Sequence, residues 1–212
     1  MPVVTALRAT RRGGVALHVD GEYVCVVSES LLARWRLYKG RELDDEALAE
    51  LRAASSSERV MGDAYRLLGH RARSRAELRR RLLEKEHEEH AVDAALERLA
   101  ADGFLDDAAF AHSYVADKRR LGGWGVERIR RGLAELGVAV DVVDAELEAE
   151  SGGEGDELER ALAMLERRGA PGEPVDAAKR RAYQALLRRG FSSPVAYAAV
   201  RRWASGQPAG PN

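Results

Sequence analysis

A pattern that returns fifty-one residues later constrains this chain more than any other feature. Leu78-Arg-Arg-Arg-Leu82 reappears as Ile129-Arg-Arg-Gly-Leu133, and the same shift carries Val92-Asp93 onto Val143-Asp144 and Leu96 onto Leu147. A third copy reads Ala182-Tyr-Gln-Ala-Leu186, then Arg189-Gly190-Phe191, then Val200. Apolar residues four apart mark one face of a helix, and each copy holds a helix, a turn and a second helix. Such a unit cannot bury its apolar face alone, so copies must stack and share cores.

Helix boundaries are written into the copies. Ser74 followed by Glu77 is a capping box ahead of Leu78 and Leu82, and Gly103 closes the helix carrying Val92, Leu96 and Leu99. Asp106 caps a helix with Phe110, Tyr114 and Val115 on one side. The second copy then predicts helices over 107–121, 126–136 and 142–150. Ser151-Gly152-Gly153-Glu154-Gly155 is a linker. The third copy predicts helices over 156–168, 175–189 and 194–205, with Pro194 at the first helical position after Ser193. Residues 207–212 form a frayed tail.

Ahead of the repeats the period changes. Val3–Ala9, Val15–Val19 and Tyr23–Val27 are short β-branched runs, and Asp20-Gly21 between the last two is the preferred pair of a type I′ hairpin turn. A helix capped by Ser28 or Ser30 carries Leu31, Leu32 and Trp35. Another opens at Leu43-Asp44-Asp45-Glu46, with acids in its first turn. Ser55-x-x-Glu58 reads as a further capping box, starting a separate helix through Met61, Ala64, Leu67 and Leu68. The fold class is therefore mostly α: three tandem three-helix repeats preceded by a small N-terminal antiparallel β element. The predicted divisions are 1–54, 55–105, 106–152, 153–206 and the tail at 207–212.

These residues resemble those of RecX, the bacterial regulator of the RecA recombinase. Arg73-Ser74-x-x-Glu77-Leu78-x-x-x-Leu82-x-x-Lys85, Gly103-Phe104-Leu105-Asp106-Asp107-x-x-Phe110-Ala111-x-x-Tyr114 and Gly125-x-x-x-Ile129-x-x-x-Leu133-x-x-x-Gly137-Val138 are similar to that family's repeat motifs. The resemblance covers nearly the whole chain. It departs after Lys85, where Glu86-His87 stands in place of a glycine and an apolar residue. It implies a non-enzymatic, cytoplasmic modulator that binds the RecA filament on single-stranded DNA as a monomer, without cofactor, and restrains ATP hydrolysis and strand exchange.

Composition bounds the alternatives. A formal net charge of −1 argues against a simple cationic sheath for nucleic acid. Locally, residues 106–150 carry 6 basic and 10 acidic side chains, and residues 151–212 carry 10 and 7. An acidic middle and a basic end suit a protein partner as well as a phosphate backbone. One cysteine, Cys25, excludes an intrachain disulfide and reads as a small buried hydrophobe. The opening residues lack the apolar core of a signal peptide, and no apolar run reaches the length of a membrane span.

Few residues invite a chemical reading. Asp106-Asp107 reads as a cap and a first-turn acid rather than a metal site. His87-Glu88-Glu89-His90 has its histidines three apart, not the four of a zinc-binding helix, and reads as a solvated turn. Gly122-Gly123-Trp124-Gly125 lacks a dinucleotide fingerprint; its glycines end one helix and permit a turn. Trp124 admits two readings, a core plug or an exposed aromatic facing a partner or a base. No catalytic, metal or cofactor residues are assigned. The candidate partner-binding residues are the cations that recur with the repeats: Arg71 and Arg73 at the first junction, Arg79, Arg80 and Arg81, then Arg128, Arg130 and Arg131, then Lys179, Arg180 and Arg181, together with Trp124. They read either as a solvated face covering apolar surface or as a basic ridge, and weak direct contact with DNA is the second functional reading.

Overall fold

A computed structural model describes residues 1–11, 13–150, 154–167, 169 and 175–206. Of the predicted linker at 151–155, residues 151–153 lie outside them, as does the tail at 207–212; Glu154 and Gly155 belong to the first helix of the third repeat instead. The chain divides into two compact units, one of residues 1–73 with 78–105 and the other of 74–77 with 106–212.

In the first unit, β1 (Val4–Ala9), β2 (Val15–Val19) and β3 (Glu22–Val27) form an antiparallel sheet in sequence order. Asp20 and Gly21 both have positive φ, 50° and 88°, and Val19 pairs directly with Glu22, as a two-residue type I′ turn requires. The sheet buries Val4, Leu17, Val19 and Val27 against Leu31 of α1 (Glu29–Arg34) and Leu51 of α2 (Asp45–His70). The Ser28 hydroxyl caps α1 by accepting from Leu31 N at 3.0 Å.

Helix α2 corrects the predicted break at Ser55. It runs unbroken for 26 residues from the Asp44 cap. Ser55 lies inside it, 3 % exposed, and donates its hydroxyl to the Val26 carbonyl of β3 at 2.7 Å. The serine that resembled a cap is spent on the sheet instead. One helix therefore serves two cores, because Val60, Met61 and Ala64 beyond Ser55 join the first repeat. There they pack with Leu78 and Leu82 of α3 (Arg75–Leu83) and with Val92, Leu96 and Leu99 of α4 (Glu89–Ala101).

The second unit holds the other two repeats. α5 (Asp107–Gly122), α6 (Val126–Glu135) and α7 (Val140–Glu150) enclose Ala111, Val115, Ile129, Leu133, Val143 and Leu147. α8 (Glu154–Glu166), α9 (Val175–Arg189) and α10 (Ser193–Ser205) enclose Ala161, Leu165, Ala182, Leu186, Ala196 and Val200. α10 begins one residue earlier than predicted: Ser192 is its cap, accepting from Val195 N at 3.4 Å, and Pro194 falls in the first turn. The third copy is offset from the second by two residues more than the second from the first, since Ala182 takes the place of Ile129 and Leu186 that of Leu133.

Backbone approaches hold this unit's helices together. Gly125 N donates to Arg189 O at 2.9 Å and Glu127 N to Gly190 O at 3.0 Å, so carbonyls ending α9 satisfy open donors at the start of α6. A Cβ on Gly125 would overlap the Gly190 carbonyl, which is why this position takes glycine. Ser74 occupies the place of Gly125 one copy earlier. Its buried hydroxyl donates to the Leu136 carbonyl, the counterpart of Arg189, and accepts from Glu77 N at 3.1 Å. The two predicted acids each cap a helix: Asp106 accepts from Ala108 N and Ala109 N of α5 at 2.9 Å, and Asp107 from Arg75 N of α3 at 2.8 Å.

Candidate interaction surface

The recurring arginines separate into two kinds. In the first repeat Arg79 Nε donates to Asp93 Oδ1 at 2.8 Å, and its Nη2 reaches Glu89. In the second, Arg130 Nη2 donates to Asp144 Oδ1 at 3.1 Å, with Glu127 alongside at 3.4 Å. Each pair spans fourteen residues and ties the middle helix of its repeat to the last. The carboxylates of Asp93 and Glu89 hold the Arg79 guanidinium above its already high pKa. Arg79 and Arg130 are thus engaged inside their own repeats. The next residue in each copy, Arg80 and Arg131, is exposed and makes no ion pair among the described residues.

The other candidates are placed as follows. Arg71 donates to Ala72 O at 2.9 Å and Arg73 Nε to Leu67 O at 3.2 Å, both near the end of α2. Arg81 pairs with Glu84 at 2.9 Å and Lys179 with Asp176 at 3.9 Å, both along one helix and both exposed enough to add little stability. Arg180 and Arg181 are exposed. Arg128 and Arg131 come together with Arg188 around a broad hollow beside Gly190 and Pro194.

Trp124 combines features of its two readings. It is half-buried and packs against the second repeat's core. Arg128 Cζ lies 3.9 Å and Lys118 Nζ 4.9 Å from the centre of its ring, so two cations sit over the indole. The turn beneath is built for it. Gly123 ends α5 at φ 57°, and a Cβ on Gly122 would fall 2.6 Å from the indole. Arg189 donates to the Gly122 carbonyl. The same turn borders a second cleft of about 480 Å³ lined by Arg119, Arg120, Arg160, Arg167 and Arg189.

His87 overturns the reading of a wholly solvated turn at 87–90. Its side chain is 4 % exposed and its Nε2 lies 2.9 Å from Asp63 Oδ2 on α2. Lys85 Nζ reaches the other oxygen at 3.1 Å and Arg66 pairs with it as well. Burial would raise the Asp63 pKa, but the bonds from His87 and Lys85 outweigh it and hold the carboxyl below its ordinary value. His90 is exposed, near Glu88 at 3.5 Å. Cys25 is half-buried on β3, and burial pushes its thiol pKa up. Among the described residues no group of three or more His, Cys, Asp or Glu side chains is placed to hold a metal ion, and no helix is long and apolar enough to cross a membrane.

At the third repeat the candidate cations Lys179 and Arg180 border a surface whose other residues were not singled out from the sequence. In the third repeat, Tyr183 takes the place of Arg79 and Arg130, and Tyr197 that of Asp93 and Asp144. The ionic tie is absent there, and a groove of about 480 Å³ lies between the two tyrosines, edged by Lys179, Arg180 and Arg201. Carrying the repeat alignment through α10 would have singled out both tyrosines.

Comparison with known proteins fits this architecture. The chain matches the family models described as RecX, first three-helix domain, at residues 61–99, RecX, second three-helix domain, at 106–147, and RecX, third three-helix domain, at 155–200. It is 31% identical over 197 residues to the "Regulatory protein RecX" of Levilactobacillus brevis, covering 92% of this chain and 74% of that one. It is 29% identical over 203 residues to the protein of the same name from Leuconostoc mesenteroides, covering 95% and 76%. A crystal structure of regulatory protein RecX superposes with a TM-score of 0.64 at 26% identity, over 92% of this chain and 97% of that one.

Proposed function

The chain belongs to the RecX family of regulatory proteins, and from that membership we propose that it binds the RecA recombinase filament on single-stranded DNA and restrains its ATP hydrolysis and strand exchange. It acts by binding, as a monomer in the cytoplasm, without a catalytic centre or cofactor of its own. The observation that carries the reading at residue level is the division among the repeated arginines. Arg79 and Arg130 are neutralised within their repeats, whereas Arg80 and Arg131, at the adjacent place in each copy, leave their charge facing solvent. Two repeats that carry the same solvent-facing group at equivalent places in the sequence suit a polymer whose subunits also repeat, because a second contact is made at high effective concentration. The hollow formed by Arg128, Arg131 and Arg188 supports direct contact with nucleic acid as the second reading.

Co-sedimentation with preformed RecA filaments on single-stranded DNA, beside a DNA-only control, tests the proposal. Binding is expected with the filament and not with the DNA alone. Equal binding to bare DNA, weakening steeply with added salt, would favour the second reading instead.

A further inference from the structure

The third repeat departs from the other two at the place where they close on themselves. In the first two, an arginine on the middle helix meets an aspartate on the last: Arg79 with Asp93, Arg130 with Asp144. One turn further along the last helix stands a second acid, Glu97 or Glu148. The third repeat replaces all of these. Tyr183 and Tyr197 stand for the ion pair, and Arg201 takes the place of Glu97 and Glu148. The core that sets this alignment is otherwise kept, since Val200 is buried where Leu96 and Leu147 are buried.

The replacements take away the carboxylates that the last helix carries in the first two repeats; among the described residues only exposed Asp176, 3.9 Å from Lys179, offers one of these cations an acid. Tyr197 is 65 % exposed, while Tyr183 is half-buried in the third repeat's core. Between them lies the groove of about 480 Å³, room for one or two large side chains, with Val200 and Ala204 contributing to its apolar lining. Lys179, Arg180 and Arg201 edge it, and among the described residues no acidic side chain lines it. Arg180 and Arg201 make no ion pair among the described residues.

We infer that this groove is a docking site for an acidic peptide segment anchored by one aromatic or leucine side chain. The anchor enters between Tyr183 and Tyr197, and carboxylates on either side meet Lys179, Arg180 and Arg201. The partner thus supplies from outside the negative charge that the first two repeats supply from their own last helix. Buried aromatic anchors ringed by charge complementarity are the usual source of affinity in such contacts. The apolar lining favours a peptide over single-stranded nucleic acid. Tyrosines beside cations also suit a stacked base, so single-stranded nucleic acid is the alternative the test must separate. The inference concerns a site within one repeat and stands apart from filament binding.

Fluorescence anisotropy on the full chain tests it, with a labelled short peptide of Glu and Asp around a central Phe. The controls are the same peptide with Ala for Phe, with Lys for the acids, and oligo(dT). The decisive variant is Tyr183→Arg/Tyr197→Asp, which rebuilds the pair of the other two repeats across the groove. Arg201→Glu is the second, removing charge without touching the tyrosines. The Phe peptide is expected to bind, and to bind about tenfold more weakly to either variant and when its Phe or its acids are replaced. Failure of the acidic peptide to bind the wild-type chain overturns the inference, as does equal binding by both folded variants. Oligo(dT) binding that both variants abolish, in the absence of peptide binding, would make the groove a nucleic-acid site instead.

Discussion

Glu86 shares the left-handed backbone of Gly137, with φ of 62° against 76°. Gly190 completes the set at 86°. In each copy this residue's N–H closes the helix end with a bond of 2.9 Å, from Glu86 to Leu83 O, Gly137 to Ala134 O and Gly190 to Leu187 O. Three turns of one geometry thus carry two glycines and one glutamate. The glutamate's Cβ crowds its own carbonyl, at roughly 1 kcal/mol, and its charge sits at the negative end of a helix dipole. Glu86→Gly is therefore expected to stabilise the protein by about 0.5–1 kcal/mol after glycine's greater unfolded-state freedom is allowed for. The check is urea denaturation, where the midpoint should rise at constant slope. A lower midpoint would mean that the first repeat does not need this turn.

The two arginines of each pair should separate in experiment. A double-mutant cycle on Arg130 and Asp144, using alanine at each, should return a coupling of about 0.5 kcal/mol, as expected for a pair this exposed. Arg131→Glu should leave the unfolding free energy from urea titration within about 0.5 kcal/mol of wild type, since it breaks no ion pair among the described residues. On the proposed function, the Arg80→Glu/Arg131→Glu variant should then lose restraint of strand exchange while remaining folded. Full restraint by that variant would remove these residues from the binding surface.

What could be read from the sequence, and what could not, follows from the range of the interactions. The caps at Ser28 and Asp106, the turn at Asp20-Gly21 and the core face of each repeat depend on residues within a turn or two of one another. So does the slot shared by Glu86, Gly137 and Gly190. A linear pattern expresses all of these. The break expected at Ser55 failed because the partner of its hydroxyl, the Val26 carbonyl, lies 29 residues away on a strand. His87 failed for a like reason, its partner Asp63 standing 24 residues back on α2. The pairing of Arg79 with Asp93 is of intermediate range: both residues were visible within the repeated pattern, but nothing in the spacing said that they meet. The groove of the third repeat went unread because it depends on what replaces that pair, and the replacements show only when the repeat alignment is carried through the last helix.

Gly125, like Gly190 facing it, should tolerate a side chain poorly. A methyl there would overlap the Gly190 carbonyl, which Glu127 N uses as its acceptor at 3.0 Å. Backbone cannot swing aside as a side chain can, so Gly125→Ala must push α6 away from the end of α9. The expected loss is about 1–3 kcal/mol, the range for forced overpacking. Gly69→Ala is the control, because a Cβ there meets nothing within 4 Å. Comparable urea midpoints for the two variants would show that α6 can shift without penalty.

Acid should find the first unit through Asp63. Its carboxylate takes His87 Nε2 at 2.9 Å and Lys85 Nζ at 3.1 Å, with Arg66 alongside, and its side chain is only 19 % exposed. These bonds hold the folded pKa below the ordinary 3.8 in spite of burial. A carboxyl whose pKa is lower folded than unfolded contributes stability that is complete above the unfolded value, and that contribution fades as pH falls through the folded one. Near neutrality Asp63→Asn should therefore cost on the order of 1–2 kcal/mol, by replacing bonds to a charged acceptor with weaker ones. The gap between wild type and variant should narrow steadily as pH falls below about 4, because the wild-type group becomes neutral while the amide does not titrate. Urea midpoints of both proteins, measured across that range, give the difference directly. A gap that persists unchanged to about pH 2 would show that the bonds to Asp63 hold their strength whether or not the carboxyl is charged, and that packing around His87, not its pairing, fixes this corner of the first repeat.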